Sequence, residues 1–282
     1  MLTIVHGVYK RNPHIEETLK LNLLALNQAG IRDFQYIVFN DKGDKEIYDD
    51  LNQYHDKIEY IYSPINFGKK VCRGSWVGAI PYIKKDIVHV TDQDDVMTSA
   101  FYQTSLKVLN QNPDIDLVFS SCFHASEENL EIMAFGTNPE INPGVNFPSY
   151  ENNPFDCFKL WFGVGEKGKD EVTRANNFMM ASGVIYRTKL HDIIGEPDLE
   201  FGGACDFEYW ARILFNEIKC KMINLPTWLY RKAVDGKASK YSAANEIIDG
   251  KNNNDHHRQQ CLKNIEKKYY NLYKEKINGI GK

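Results

Sequence analysis

The chain opens on a short apolar run, Leu2 to Val8, the mark of a strand buried on both faces. Arg11-Asn12-Pro13-His14 then reads as a turn with proline near a helix start. From Ile15 to Gln28 the apolar positions Leu19, Leu23 and Leu26 recur at helical spacing, and Gly30 stops the helix. Phe34 to Phe39 predicts a second strand, ended by the polar stretch Asn40 to Asp44, and Ile58 to Tyr62 a short third one. Asn66-Phe67-Gly68 opens a helix running to about Ile83. Asp86 to Thr91 predicts a fourth strand, ending in Asp92-Gln93-Asp94-Asp95. A helix over Ser99 to Asn110 and a fifth strand over Leu117 to Cys122 complete the first half. Strands alternating with helices through short connections predict a parallel, doubly wound α/β sheet covered by helices. In such sheets ligands bind beyond the carboxyl ends of the strands, which singles out Tyr9, Asp41 and Asp92 to Asp95.

The second half follows a different pattern. Ser126 to Asp170 is rich in Asn, Pro and Gly with isolated aromatics, and reads as a long irregular insertion of the kind that forms lids or binding loops. Its Trp161 and Phe162 are read as pinning the insertion rather than stacking on an acceptor. Phe178 to Tyr186 predicts a strand, Asp206 to Asn216 a helix, and Trp228 to Arg231 a short strand. Phe207, Trp210, Ile213 and Leu214 form one face of that helix, so Trp210 is expected in the core. From Gln259 onward Leu262, Ile265, Tyr269, Leu272 and Tyr273 outline an amphipathic helix.

Composition narrows the function classes. The 282 residues are 43% hydrophobic and 26% charged, an ordinary globular profile. A formal net charge of −4 argues against generic nucleic-acid binding. No apolar run approaches the ~20 residues of a membrane span. The first residues lack the basic and long apolar regions of a signal peptide. The six cysteines show no C-x-x-C pair, which disfavours a zinc ribbon or disulfide scaffold and predicts reduced thiols and a cytoplasmic protein.

Asp92-Gln93-Asp94-Asp95 is the strongest chemical signal. Three carboxylates in four residues repel one another unless a cation lies between them, and Mg²⁺ or Mn²⁺ suits hard oxygen ligands. An EF-hand is excluded by Val96 and Met97, which stand where an acidic ligand and the turn glycine belong. Two chemistries remain, besides a merely solvated acidic turn. Asp92-Gln93-Asp94-Asp95-Val96 fits the D-x-D-x-V string of haloacid-dehalogenase-type phosphohydrolases, although about three strands precede it here. A nucleotide-sugar transferase also places an acidic strand end at its centre.

Taken in order, these segments resemble family 2 glycosyltransferases of the GT-A fold. Val38-Phe39-Asn40-Asp41-Lys42-Gly43 is similar to the family's V-V-D-D-G-S strand end, and Asn66-Phe67-Gly68 with Arg73 to its N-x-G…A-R-N segment. Asp92-Gln93-Asp94-Asp95 is similar to the D-x-D-D form of the DXD motif. Ala204 to Arg212 is similar to the helix start a-E-D-y-d-l-w-l-R, and Tyr230-Arg231 to the closing Y-R. The resemblance covers most of Leu2 to roughly Ser239. It implies a catalytic domain over 1–240, with a nucleotide-sugar half (1–124) and an acceptor half (125–240), and a helical extension over 241–282.

The activity implied is non-processive inverting transfer from a UDP- or dTDP-sugar to an acceptor hydroxyl on a glycan, a lipid-linked molecule or a protein, in glycan or cell-surface polysaccharide synthesis. Tyr9 and Asp41 are expected at the base, with Arg73, Asp92 and Gln93 on the rest of the donor. Asp94 and Asp95 are expected to hold Mn²⁺ or Mg²⁺, and Asp206 to act as the base. The chain departs from the pattern at Asn40, Cys205 and Ala233, where the family commonly has Asp, Glu and His. A non-catalytic sugar-nucleotide or glycan binding protein is the alternative those departures support. Plainer local readings are a helix-terminal carboxylate for Asp206, a turn residue for Asp41, packing for Tyr9 and a solvated helix residue for Arg73. The tail from Leu262 to Lys282 holds six Lys and two Glu. It is expected to pack on the domain or on a second subunit of a homodimer, in preference to lying on an anionic membrane at the inner face.

Overall fold

The structure is a computed structural model that describes residues 2–68, 74–135, 149–164, 179–232, 247–248, 251–252 and 257–279. The elements run β1 (Leu2–Val8), α1 (His14–Gln28), β2 (Phe34–Asn40), the single turn α2 (Ile47–Asp50), β3 (Glu59–Tyr62) and α3 (Gly74–Ala79). Next come β4 (Ile87–Thr91), β5 (Val96–Met97), α4 (Ser99–Gln111), β6 (Leu117–Ser126), β7 (Ile132–Phe135) and α5 (Pro154–Phe162). The remainder is β8 (Val184–Arg187), α6 (Leu190–Ile194), α7 (Cys205–Phe215), β9 (Cys220–Lys232), a small ribbon of β10 (Ile247–Ile248) and β11 (Lys251–Asn252), and α8 (Gln259–Ile277).

The main sheet has the order β3-β2-β1-β4-β8-β6-β9-β5, with β7 hydrogen-bonded to β6. β3, β2, β1 and β4 are parallel, as the strand–helix alternation predicts. β8 enters antiparallel between β4 and β6, and β9 returns parallel to β6. Alternate strand residues feed two cores, because helices cover both faces. Ile4, Tyr36 and Val38 pack beneath α1 and α4, while Val5, Ile37 and Phe39 pack toward α3, α5 and α7.

The expected insertion is more regular than its composition suggests. Within it β7 forms, and α5 runs from Pro154, its first residue, to a left-handed Gly163 at φ 61°. Phe158, Trp161 and Phe162 are buried, and Trp161 and Phe162 stack on Phe207 of α7. The pinning role expected for this pair is therefore observed. Trp210 is also core, stacked on Trp76 at 5.3 Å. Two other boundaries shift. The helix expected to reach Ile83 is α3 followed by a 3-10 turn at Ile80–Tyr82, where Pro81 cannot continue the α-helical bonding. Among the described residues of the expected Phe178–Tyr186 strand, only Val184 to Tyr186 belong to a strand, β8, which follows a 3-10 turn at Ala181–Gly183. Residues 69–73, including Arg73, and Ala233 lie outside the described residues.

α8 packs into the same core as α5 and α7. Ile265 and Tyr269 are buried, and Tyr269 meets Phe158 and Phe162. No helix among the described residues is long and apolar enough to cross a membrane. Cys122, Cys157, Cys205, Cys220 and Cys261 are all free thiols.

Candidate active site

The carboxyl ends of β1, β2 and β4 lie side by side, and this adjacency gathers most of the residues marked in the sequence. Tyr9 follows β1, and its backbone N–H donates to Gln93 Oε1 at 3.2 Å. The carbonyl of Tyr9 accepts from Asp44 N at 2.9 Å. Gly43 packs so tightly there that a Cβ would lie 1.6 Å from the same oxygen. The turn after β2 is thereby pressed onto the end of β1.

Asn40 shapes that turn from inside. Its amide donates to Asp44 O and approaches Tyr60 Oη, both at 2.8 Å, while its Oδ1 accepts from Gly43 N at 2.6 Å. A carboxylate here could not donate to the Asp44 carbonyl, which explains the asparagine where the resemblance expects aspartate.

Asp41 is buried, and each carboxylate oxygen receives a backbone amide, Phe67 N–H at 2.7 Å and Gly68 N–H at 2.9 Å. Burial raises its pKa, and the two amides oppose the rise. α3 begins against this carboxylate. A Cβ on Gly74 would fall 2.1 Å from Gly68 N and 2.2 Å from Asp41 Oδ2. Asp41 therefore ties the 66–68 turn to β2 at the position where a base is expected.

The acidic loop leaves β4 at the middle of the sheet. Asp92, Gln93 and Asp94 are half-buried, whereas Asp95 is 2% exposed. The Asp95 carboxylate lies close enough to Cys122 that, together with burial, it pushes that thiol up to about 12. Among the described residues no three His, Cys, Asp or Glu side chains gather into a complete metal cluster. Asp92 and Asp94 are the more exposed carboxylates of the loop. An incomplete set of hard oxygens fits Mg²⁺ or Mn²⁺, which commonly take one or two carboxylates and complete their shell with substrate phosphates and water.

Asp206 stands in the first turn of α7, nearly buried, with Oδ1 accepting its neighbour's Phe207 N–H at 2.7 Å. A carboxylate at a helix N-terminus is favoured by the helix dipole. Cys205 beside it is fully buried, where the glutamate of the resembled pattern would need a charged partner. Sequence reasoning passed over Asn22, Ser182 and Glu127, polar residues buried around the acidic loop. Asn22 had a usable signal, an amide on the apolar face of α1 next to Leu19 and Leu26.

Comparison with known proteins follows from this geometry. No family model matches the chain. A protein of Methanocaldococcus jannaschii named uncharacterized glycosyltransferase MJ1057 is 23% identical over 227 residues, 79% of this chain and 68% of that one. Among solved structures, S. aureus TarS superimposes with a TM-score of 0.54 at 13% identity, covering 81% of this chain and 36% of that chain. The chain shares the TarS fold. TarS 1–349 in complex with UDP-GlcNAc matches 94% of this chain and 65% of that one, with a TM-score of 0.54 and 11% identity. TarS 1–349 in complex with UDP matches with a TM-score of 0.53 and 15% identity, covering 82% and 60%. This chain thus spans from about a third to just under two thirds of the TarS chains it matches.

Proposed function

We propose that this chain is a non-processive, inverting glycosyltransferase of the GT-A fold and family 2 type. It transfers a sugar from a UDP- or dTDP-sugar to an acceptor hydroxyl on a glycan, lipid-linked or protein acceptor. The observation that carries the reading is the acidic loop at the carboxyl end of β4, flanked by Tyr9 and the Asp41 turn on adjacent strands. The relative named as a glycosyltransferase and the TarS complexes with UDP and UDP-GlcNAc support the same donor class. The antiparallel β8 beside the acidic strand, within the TarS fold, favours transfer over the phosphohydrolase reading.

In this proposal the donor base lies between Tyr9 and the Asp41–Gly68 turn. Asp92 and Gln93 orient the ribose and donor sugar. Asp94, half-buried, and Asp95, buried, are the carboxylates that would hold Mn²⁺ or Mg²⁺. A divalent cation bound there supplies positive charge for the departing diphosphate. Asp206 takes the proton from the acceptor hydroxyl as its oxygen bonds to the anomeric carbon. The bond from that carbon to the diphosphate oxygen breaks on the opposite face, so the configuration inverts. The domain division at 1–124, 125–240 and 241–282 belongs to the same reading.

The test is a thermal-shift series with UDP, dTDP and UDP-GlcNAc, with and without Mn²⁺, followed by an assay for released UDP. Stabilisation that grows with Mn²⁺, together with turnover, is expected. Donor binding without turnover on any acceptor hydroxyl would leave a binding protein. Absence of any nucleotide response would refute the reading.

A further inference from the structure

The acidic loop has one turn bond of its own, Asp95 N–H to the Asp92 carbonyl at 3.5 Å, and is otherwise held from below. Asn22, 0% exposed in α1, is bonded to the loop by both atoms of its amide. Its Nδ2 donates to the Asp95 carbonyl at 3.3 Å, and its Oδ1 accepts from Met97 N at 2.7 Å. Arg231, 1% exposed in β9, donates from Nε to the Asp94 carbonyl at 2.9 Å. Its guanidinium is fixed by Glu17 of α1 at 2.6 Å and by the Glu127 carbonyl at 3.2 Å. Ser182 Oγ accepts from Asp92 N at 3.3 Å, and the Ser182 carbonyl is itself held by His89 Nε2 at 2.9 Å. Three elements distant in sequence therefore fix the backbone at 92, 94, 95 and 97.

We infer that Asn22, together with Arg231 and Ser182, is the positioning device of the donor site. By taking the backbone polar groups of the loop, the three residues fix the main chain from which the Asp92, Asp94 and Asp95 side chains project at the donor site. This inference rests on the nucleotide-sugar reading. Preorganisation of this kind matters because a group misplaced by an ångström loses most of its electrostatic effect.

Asn22→Asp is the informative change. It keeps an acceptor for Met97 N but replaces the donor to the Asp95 carbonyl with an oxygen that repels it. Ser182→Ala removes one hydroxyl and is the milder companion should Asn22→Asp fail to fold. Calorimetric titration of the full chain with UDP, in Mn²⁺ and in EDTA, gives the readout alongside thermal melts. The expected result is about a tenfold loss of affinity in Mn²⁺ for Asn22→Asp and a loss of several-fold for Ser182→Ala, with affinity in EDTA changed by less than about twofold. Wild-type affinity in Mn²⁺ in both variants overturns the inference, as does an equal loss with and without Mn²⁺, which would mark a merely structural role. A wild-type chain that binds neither UDP nor dTDP under either condition refutes the underlying reading, and the inference falls with it.

Discussion

Replacing Asp206 by Asn removes a proton acceptor while keeping the shape and an oxygen to accept from Phe207 N–H. In Asp206→Asn, donor affinity is therefore expected to survive while transfer falls by a factor on the order of 10²–10⁴, read as turnover against calorimetric affinity. Asp94→Ala acts at the other end of the reaction. It should abolish the Mn²⁺-dependent part of UDP affinity, and calorimetry showing an unchanged Mn²⁺ response would remove Asp94 from the cation site. Two buried histidines make a prediction about pH. His6 is held down to about 3, first by burial and then by His89, and His89 to about 4 by burial, against a usual 6.5. His6 faces Tyr36, and His89 faces Tyr102 and the Ser182 carbonyl, so no acid lies against either ring to favour its charged form. Both stay neutral in the folded protein, whereas the unfolded chain takes up protons below pH 6.5. Stability is then whole above that pH and falls as pH drops toward 4, by about 2 kcal/mol per histidine at pH 5. Thermal melts at pH 7 and pH 5 should show the lower midpoint at pH 5. A single His89→Gln change should flatten that slope.

Among the elements, α8 carries the most unexpected contacts. Glu208 of α7 is fully buried, two residues beyond Asp206, and pairs with Arg212, with Lys268 at 2.7 Å and with Tyr269 Oη at 2.9 Å. Burial raises the Glu208 pKa, but the Arg212 and Lys268 contacts outweigh it and hold the carboxyl below its usual value. Lys268 also lies over the Phe201 ring at 4.8 Å, in the 3-10 segment leading into α7. α8 thus grips the segment and helix that present Asp206. Lys268→Ala leaves a buried carboxylate with one cationic partner fewer and should lower stability by about 1 kcal/mol, seen in urea melts. Wild-type stability would show that Arg212 and Tyr269 alone satisfy Glu208. The helical period of the tail and its amphipathic face were legible in the sequence, because Ile265, Tyr269, Leu272 and Tyr273 recur at that spacing. α5 was not, because Asn, Pro and Gly dominate its surroundings. The markers that define it, Pro154 and Gly163 around Phe155, Phe158, Trp161 and Phe162, are local and were masked by that composition.

Across the whole molecule, the alternation of strands and helices was enough to predict the doubly wound sheet and to place Asp41 and Asp92 to Asp95 at strand ends. It was enough because burial on two faces forces apolar runs of strand length, and polar residues must then collect where the strands emerge. The order of the sheet was not readable. β8 lies antiparallel between β4 and β6, an arrangement set by packing between distant segments and by no local periodicity. The same limit applies within the site. The sequence by itself determined which carboxylates are available and roughly where along the chain the chemistry sits. Only the tertiary structure decided that Asp95 is buried while Asp92 and Asp94 are half-buried, that Asp41 is bound to Phe67 and Gly68, and that Asn22, Ser182 and Arg231 hold the loop between them. Hydrogen bonds that join residues 22, 94, 182 and 231 depend on three-dimensional register, and a one-dimensional pattern carries no record of it.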